Sequence, residues 1–165
     1  MTKEQAEYFR GVYDRQADRI YRISMIYLKN ESDAEDALQS IFVKQIEKDK
    51  RFDDPEQEKA WYITVTKNYC KDVLKSSWSK HSSLYEMEEE PPAKEEDNDH
   101  KTDVANALNS LPPVDREILY LYYYEGYKIK EIAKILNYRE STVVSKLVAA
   151  RDRLKVKMEE DQNAR

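Results

Sequence analysis

The sequence predicts an all-α protein of two small helical domains joined by a flexible acidic linker, and three observations carry that expectation. Only two glycines and five prolines occur in 165 residues, while 37% are charged, a composition that suits exposed helices better than a sandwich or barrel. Apolar residues recur at helical spacing through both ends of the chain. Between them, residues 81–100 hold eight acidic residues and one basic residue around Pro91 and Pro92, a block too charged to bury apolar area and expected to stay disordered. Domains are therefore expected at 1–80 and 101–165, each near the smallest size that folds alone.

In the first domain, Phe9, Val12, Tyr13, Ile20, Ile23, Ile26 and Tyr27 mark a helix, with room for one break, ending near Lys29-Asn30. Ser32 with Glu35 three residues later is a capping-box pattern, so a second helix is expected from about Asp33, with Ala34, Ala37, Leu38, Ile41, Phe42 and Ile46 on its apolar face. After a polar stretch, Asp54-Pro55 supplies an N-cap and an N1 proline for a third helix reaching about Ser77. Within it Trp61, Val65, Tyr69 and Val73 repeat every four residues as a packing stripe, and Lys67, Lys71 and Lys75 repeat likewise as a basic one.

In the second domain, Val104, Ala107, Leu108 and Leu111 form a helix stopped by Pro112-Pro113, and Ile118, Leu119, Leu121 and Tyr122 continue in another ending near Gly126. Ile132, Ala133 and Leu136 mark a short helix from about Lys130. Asn137-Tyr138-Arg139 make a tight turn, with Asn137 at the position that wants a left-handed residue. Val143, Leu147 and Ala150 mark the last helix, from about Ser141 to Lys157.

The net charge of −5 at first disfavours nucleic acid, yet 1–80 carries 15 basic and 15 acidic residues and 101–165 carries 12 and 10, so the acidity lies in the linker. One cysteine, Cys70, precludes an intramolecular disulfide, and no long apolar run occurs, so a cytoplasmic protein without membrane insertion is expected. No catalytic constellation is visible: His81 and His100 lie in or beside the linker, Cys70 has no local histidine, and neither a phosphate loop nor metal-ligand spacing occurs. The chain is read as not an enzyme, with no cofactor.

The segment from Ile129 to Arg153 has helix-turn-helix form, whose second helix would enter a DNA major groove N-terminus first. It would offer Arg139, Glu140, Ser141, Thr142, Ser145 and Lys146 to bases and phosphates, with Arg151 and Arg153 further along and Val144 and Ala149 among them on the same DNA-facing helix. On spacing alone, a plain helical hairpin with a solvated charged face fits equally well.

The sequence then resembles the extracytoplasmic-function branch of the sigma-70 family of RNA polymerase sigma factors. Asp33-Ala-Glu-Asp-Ala-Leu-Gln-Ser-Ile-Phe42 is similar to its region 2 signature, and Lys59-Ala-Trp61 through Asn68 to Asp72 to its promoter-melting helix. Ala107-Leu-Asn-Ser-Leu-Pro-Pro113, Arg116-Glu117, Glu125-Gly126, Glu131-Ile-Ala133 and Thr142-Val143 with Ser145 resemble region 4. The resemblance implies that Asp33, Glu35, Asp36, Leu38, Gln39 and Phe42 dock on the polymerase β′ subunit. It implies that Phe52 and Asn68 line a pocket for a flipped −10 base while Lys67, Lys71 and Lys75 track phosphates. It further implies that the second domain binds the −35 duplex and the β subunit, and that an anti-sigma factor is a partner.

Two departures from the pattern bear on the −35 contact: Val144 and Ala149 stand where basic residues are usual, and Lys146 where arginine is usual. Lysine lacks the bidentate fork by which arginine reads guanine. Val144 against a thymine methyl, with Arg139 and Lys146 supplying charge, is one consistent arrangement. Ordinary surface roles remain open for each residue set: a solvated helix for Asp33 to Phe42, a loop anchor for Phe52, a solubilising stripe for the lysines. Two other functions also remain open, a stand-alone helix-turn-helix regulator and a helical polymerase-interaction module without DNA binding.

Overall fold

The computed structural model describes residues 1–84 and 103–163, with side chains over 1–76 and 104–163, and divides the chain into two compact units, Met1–Lys94 and Glu95–Arg165. The described residues are mostly helical and contain no strand. The expected linker at 81–100 lies outside the described residues except where a helix reaches 84.

Unit 1 contains α1 (Lys3–Leu28), α2 (Glu31–Lys48) and α3 (Pro55–Leu84). The first helix is unbroken, opened by a Thr2–Gln5 capping box and closed by Lys29 in the left-handed conformation. That early reversal puts Asn30 in extended geometry, where its side chain accepts from the Asp33 amide at 3.0 Å. Asn30, not Ser32, is therefore the cap of α2, and the expected Ser32–Glu35 capping box does not form because Ser32 already lies inside the first turn. Asp54 caps α3 as expected, accepting from the Glu56 amide at 3.0 Å, but α3 extends beyond Ser77 to Leu84.

The helix α1 packs along both α2 and α3, burying Phe9, Val12, Ile20, Ile41, Phe42 and Tyr62 as one cluster. The face of α3 that is fully buried is Tyr62, Ile63, Thr66 and Cys70, whereas Trp61, Val65 and Tyr69 sit half-buried at its edge. Thr66 is tolerated inside because its hydroxyl donates to the Tyr62 carbonyl at 2.6 Å.

Burial raises the Tyr62 phenol above its ordinary value, with the Glu58 carboxylate adding to the effect. The charged phenolate is disfavoured in the folded state, so this group's contribution to stability is intact below about pH 10 and lost as pH rises above it. Replacing Tyr62 with Phe should leave stability at pH 7 within about 1 kcal/mol, since the buried hydroxyl has no protein partner among the described residues. Urea unfolding of the variant should also show a smaller loss of stability above pH 10 than the parent.

Unit 2 contains α4 (Asp103–Asn109), α5 (Pro113–Leu119), a π-helical turn (Tyr120–Tyr124), α6 (Ile129–Leu136) and α7 (Glu140–Asn163). The last helix runs beyond the expected Lys157 and packs on α4, α5 and α6, with Ile118, Leu121, Ile132, Val143, Leu147 and Ala150 in the core. Gly126, at φ 72°, ends the tyrosine-rich turn in the left-handed region that glycine adopts without strain. Among the described residues, no helix is long and apolar enough to cross a membrane, and no three metal-ligating side chains converge.

Candidate partner and nucleic-acid surfaces

A groove of about 690 Å³ runs between α1 and α2, floored by Phe42 and walled by Tyr13, Ala17, Leu38, Val43 and Ile46. Phe42 is buried with its ring 5.2 Å from Tyr13 and 6.0 Å from Tyr62, so it shapes the groove more than it projects from it. Asp18, Glu35 and Gln39 form the polar rim. Of the residues expected on α2, the structure brings Glu35, Leu38, Gln39 and Phe42 together here. Asp33 and Asp36 are exposed outside the lining. Sequence reasoning missed Val43, which is 53% exposed; it follows Gln39 by one turn, the spacing that signals a shared helix face.

A second surface lies where the α2–α3 loop meets α3. The Phe52 amide donates to the Tyr8 hydroxyl at 3.0 Å, and its ring lies 5.4 Å from Trp61. Lys50 stands over both rings, at 5.3 and 5.9 Å, and Arg51 over Tyr8 at 4.9 Å. Phe52 is thus anchored on both α1 and α3, and with half-buried Trp61 it forms an aromatic shelf under a cation. Asn68 is exposed on the same helical face as Trp61, about 10 Å further along α3 by helix rise. Lys71 and Lys75 are exposed, but Lys67 is only 7% exposed and does not share their surface.

The third surface belongs to unit 2. Asn137 adopts φ 57° and caps α6, as the turn between the two helices requires, and buried Ala133 allows close packing of α6 against α7. The buried side of α7 is Val143, Leu147 and Ala150, so its outward side carries Ser141, Val144, Ser145 and Val148, with Thr142 and Ala149 half-buried on one flank. Arg139 and Glu140 are exposed at the helix start.

Three cations of α7 are held by neighbours. Lys146 lies over the Tyr138 ring at 5.4 Å, Arg151 over Tyr122 and Tyr123 at 5.5 and 5.3 Å, and Arg153 pairs with buried Asp115 at 2.6 Å. Val148 was not singled out from the sequence, although it lies seven residues beyond Ser141 on the same face.

Residues 12–80 match the family model for sigma-70 region 2, and residues 101–154 that for sigma-70, region 4. The RNA polymerase sigma factor SigV of Bacillus subtilis (strain 168) is 28% identical over 142 residues, which cover 84% of this chain and 83% of that protein. The ECF RNA polymerase sigma factor SigM of the same organism is 27% identical over 155 residues, covering 87% of this chain and 91% of its own. In fold, the chain is similar to the sigma factor RpoE solved in complex with the anti-sigma factor NepR from Bartonella quintana. The TM-score is 0.72 at 22% identity, over 92% of this chain and 96% of that one.

Proposed function

Because the chain belongs to the extracytoplasmic-function branch of the sigma-70 family and is an RNA polymerase sigma factor for promoter-specific transcription initiation, we propose how its surfaces divide that work. Unit 1 would hold core polymerase through the α1–α2 groove, which accepts an apolar ridge of the β′ subunit while Glu35 and Gln39 pair with polar groups beside it. Apolar burial at the centre supplies affinity, and the acidic rim, with Asp33 and Asp36 nearby, steers association and register. The same groove would seat an anti-sigma factor, whose occupancy then excludes polymerase by competition.

The Phe52–Trp61 shelf under Lys50 would support an unstacked −10 base, with Asn68 reading its edge through amide hydrogen bonds. Lys71 and Lys75 would follow the phosphates of the opened strand. Buried Lys67 drops out of this role. Unit 2 would place the N-terminal half of α7 in the −35 major groove and contact the β subunit. With both units on one chain, two modest contacts gain avidity through effective concentration. The protein acts by binding, not catalysis, and works in the cytoplasm beside polymerase and promoter.

The observation that carries this reading is that one chain holds both a partner groove rimmed by acid and a helix-turn-helix whose second helix turns its N-terminal half outward. Its test is transcription with purified core polymerase on pooled promoter fragments, with and without the protein. New start sites sharing −10 and −35 sequences are expected. Core binding without any new start would instead favour an interaction module that occupies polymerase.

A further inference from the structure

We infer that unit 2 reads its −35 duplex chiefly through thymine C5-methyl groups packed against Val144 and Val148, rather than through cationic forks on guanine. This rests on the assignment of α7 to the −35 element. Both valines stand on the outward side of α7, 43% and 49% exposed. Folding does not require them there, since valine is a poorer helix former than the lysine, glutamate or alanine that would serve an exposed helix. An aliphatic pair on a face that meets DNA needs an apolar feature opposite it, and the thymine methyl is the one a major groove offers.

Three of the cations near the pair are already engaged, while Arg139 is exposed at the helix start and Lys155 and the acid Asp152 are exposed beyond Val148. Lys146 and Arg151 rest on tyrosine rings, and Arg153 is committed to Asp115. Held this way, they suit phosphates at the margins of the groove and leave no fork donor between the valines. A valine placed over the guanine O6/N7 edge would strip water from two acceptors and return no hydrogen bond. Ser145 is compatible with A·T pairs: its hydroxyl donates to the Ser141 carbonyl at 3.0 Å, which leaves its oxygen as an acceptor for the adenine amino group. Val144 and Val148 are about 6 Å apart along the helix, close to two base steps, so the two methyls should fall within two steps of each other.

The test begins by selecting −35 duplexes from a randomised pool with holoenzyme assembled from core polymerase and the full chain. Holoenzyme affinity is then measured for the selected duplex with its thymines replaced singly by deoxyuridine, using the parent and a Val144→Ala/Val148→Ala variant. Deoxyuridine should weaken the parent about threefold to fivefold at each contacted thymine, the effect of removing one buried methyl. The variant, whose alanines favour helix, should show a penalty below about 1.5-fold at the same positions. Selected duplexes lacking thymine opposite α7, or a parent indifferent to deoxyuridine, would overturn the inference. So would an equal penalty in the variant, because the methyl would then act through DNA shape. If no duplex is selected at all, the −35 assignment itself fails and takes the inference with it; selection with indifference to deoxyuridine removes only the methyl readout.

Discussion

A Val43→Asp variant should lose at least thirtyfold in affinity for core polymerase, roughly the 2 kcal/mol that defines a binding hot spot, while its melting temperature stays near that of the parent. Val43 lines the α1–α2 groove yet is largely exposed in the unbound chain, so an aspartate there remains hydrated until a partner arrives. On docking, the same carboxylate must leave water beside Leu38 and Ile46. A Glu35→Gln variant should behave differently, because a rim charge mainly alters association rate and salt dependence. Titration of labelled core polymerase with each variant, at two salt concentrations, separates the two effects. A Val43→Asp protein that binds core as tightly as the parent would remove the groove from the polymerase contact.

Much of this arrangement is legible in the chain because periodicity and turn chemistry agree. Asp54-Pro55 opens α3, Asn137 adopts the left-handed turn conformation, and the buried side of α7 is the Val143, Leu147 and Ala150 stripe. The illegible parts have physical reasons. A stripe spaced by four residues rotates about 40° per step around a helix of 3.6 residues per turn. Lys67, Lys71 and Lys75 therefore pass from the buried side to the exposed side, although they look equivalent in the sequence.

The true core face of α3 was disguised by Thr66, whose hydroxyl is satisfied within the helix, and by the buried Glu58. The Trp61–Val65–Tyr69 stripe looks more apolar but sits half-buried beside it. Choosing between adjacent stripes depends on how α1 crosses α3, a tertiary fact that no single helix encodes. The π-helical turn at Tyr120–Tyr124 was likewise hidden, since its one-residue change in hydrogen-bond register leaves composition untouched. The tyrosines it presents to Arg151 are what turn a nominal DNA-facing arginine into a tethered one.

Glu58 is the most buried charged residue among those described in unit 1, and Glu58→Ala should destabilise that unit by about 2–3 kcal/mol. The residue is 4% exposed in the first turn of α3, where a carboxylate also meets the positive end of the helix dipole. It accepts from Arg15 through both oxygens, at 3.0 and 3.1 Å, and from the Gln16 side-chain amide at 3.0 Å. The hydrogen bond from Arg15 to Glu58 raises the guanidinium above its ordinary value, so Arg15 stays charged at every accessible pH. Alanine would leave the buried Gln16 amide without this acceptor, and that desolvated donor supplies most of the loss. Arg15, half exposed, can rehydrate, which holds the total below the 3–5 kcal/mol expected when both ions of a pair are buried.

Glu58→Gln retains one acceptor oxygen and should cost about half as much. Because Gln16 and Arg15 lie on α1 and Glu58 on α3, the loss should loosen the frame that supports Phe52 and Asn68. Unfolding by urea should show the lower midpoint, and transcription by the assembled holoenzyme should fall more steeply with temperature for Glu58→Ala than for Glu58→Gln. Equal stability of the alanine variant and the parent would mean that the Arg15–Gln16–Glu58 cluster does not hold α1 to α3.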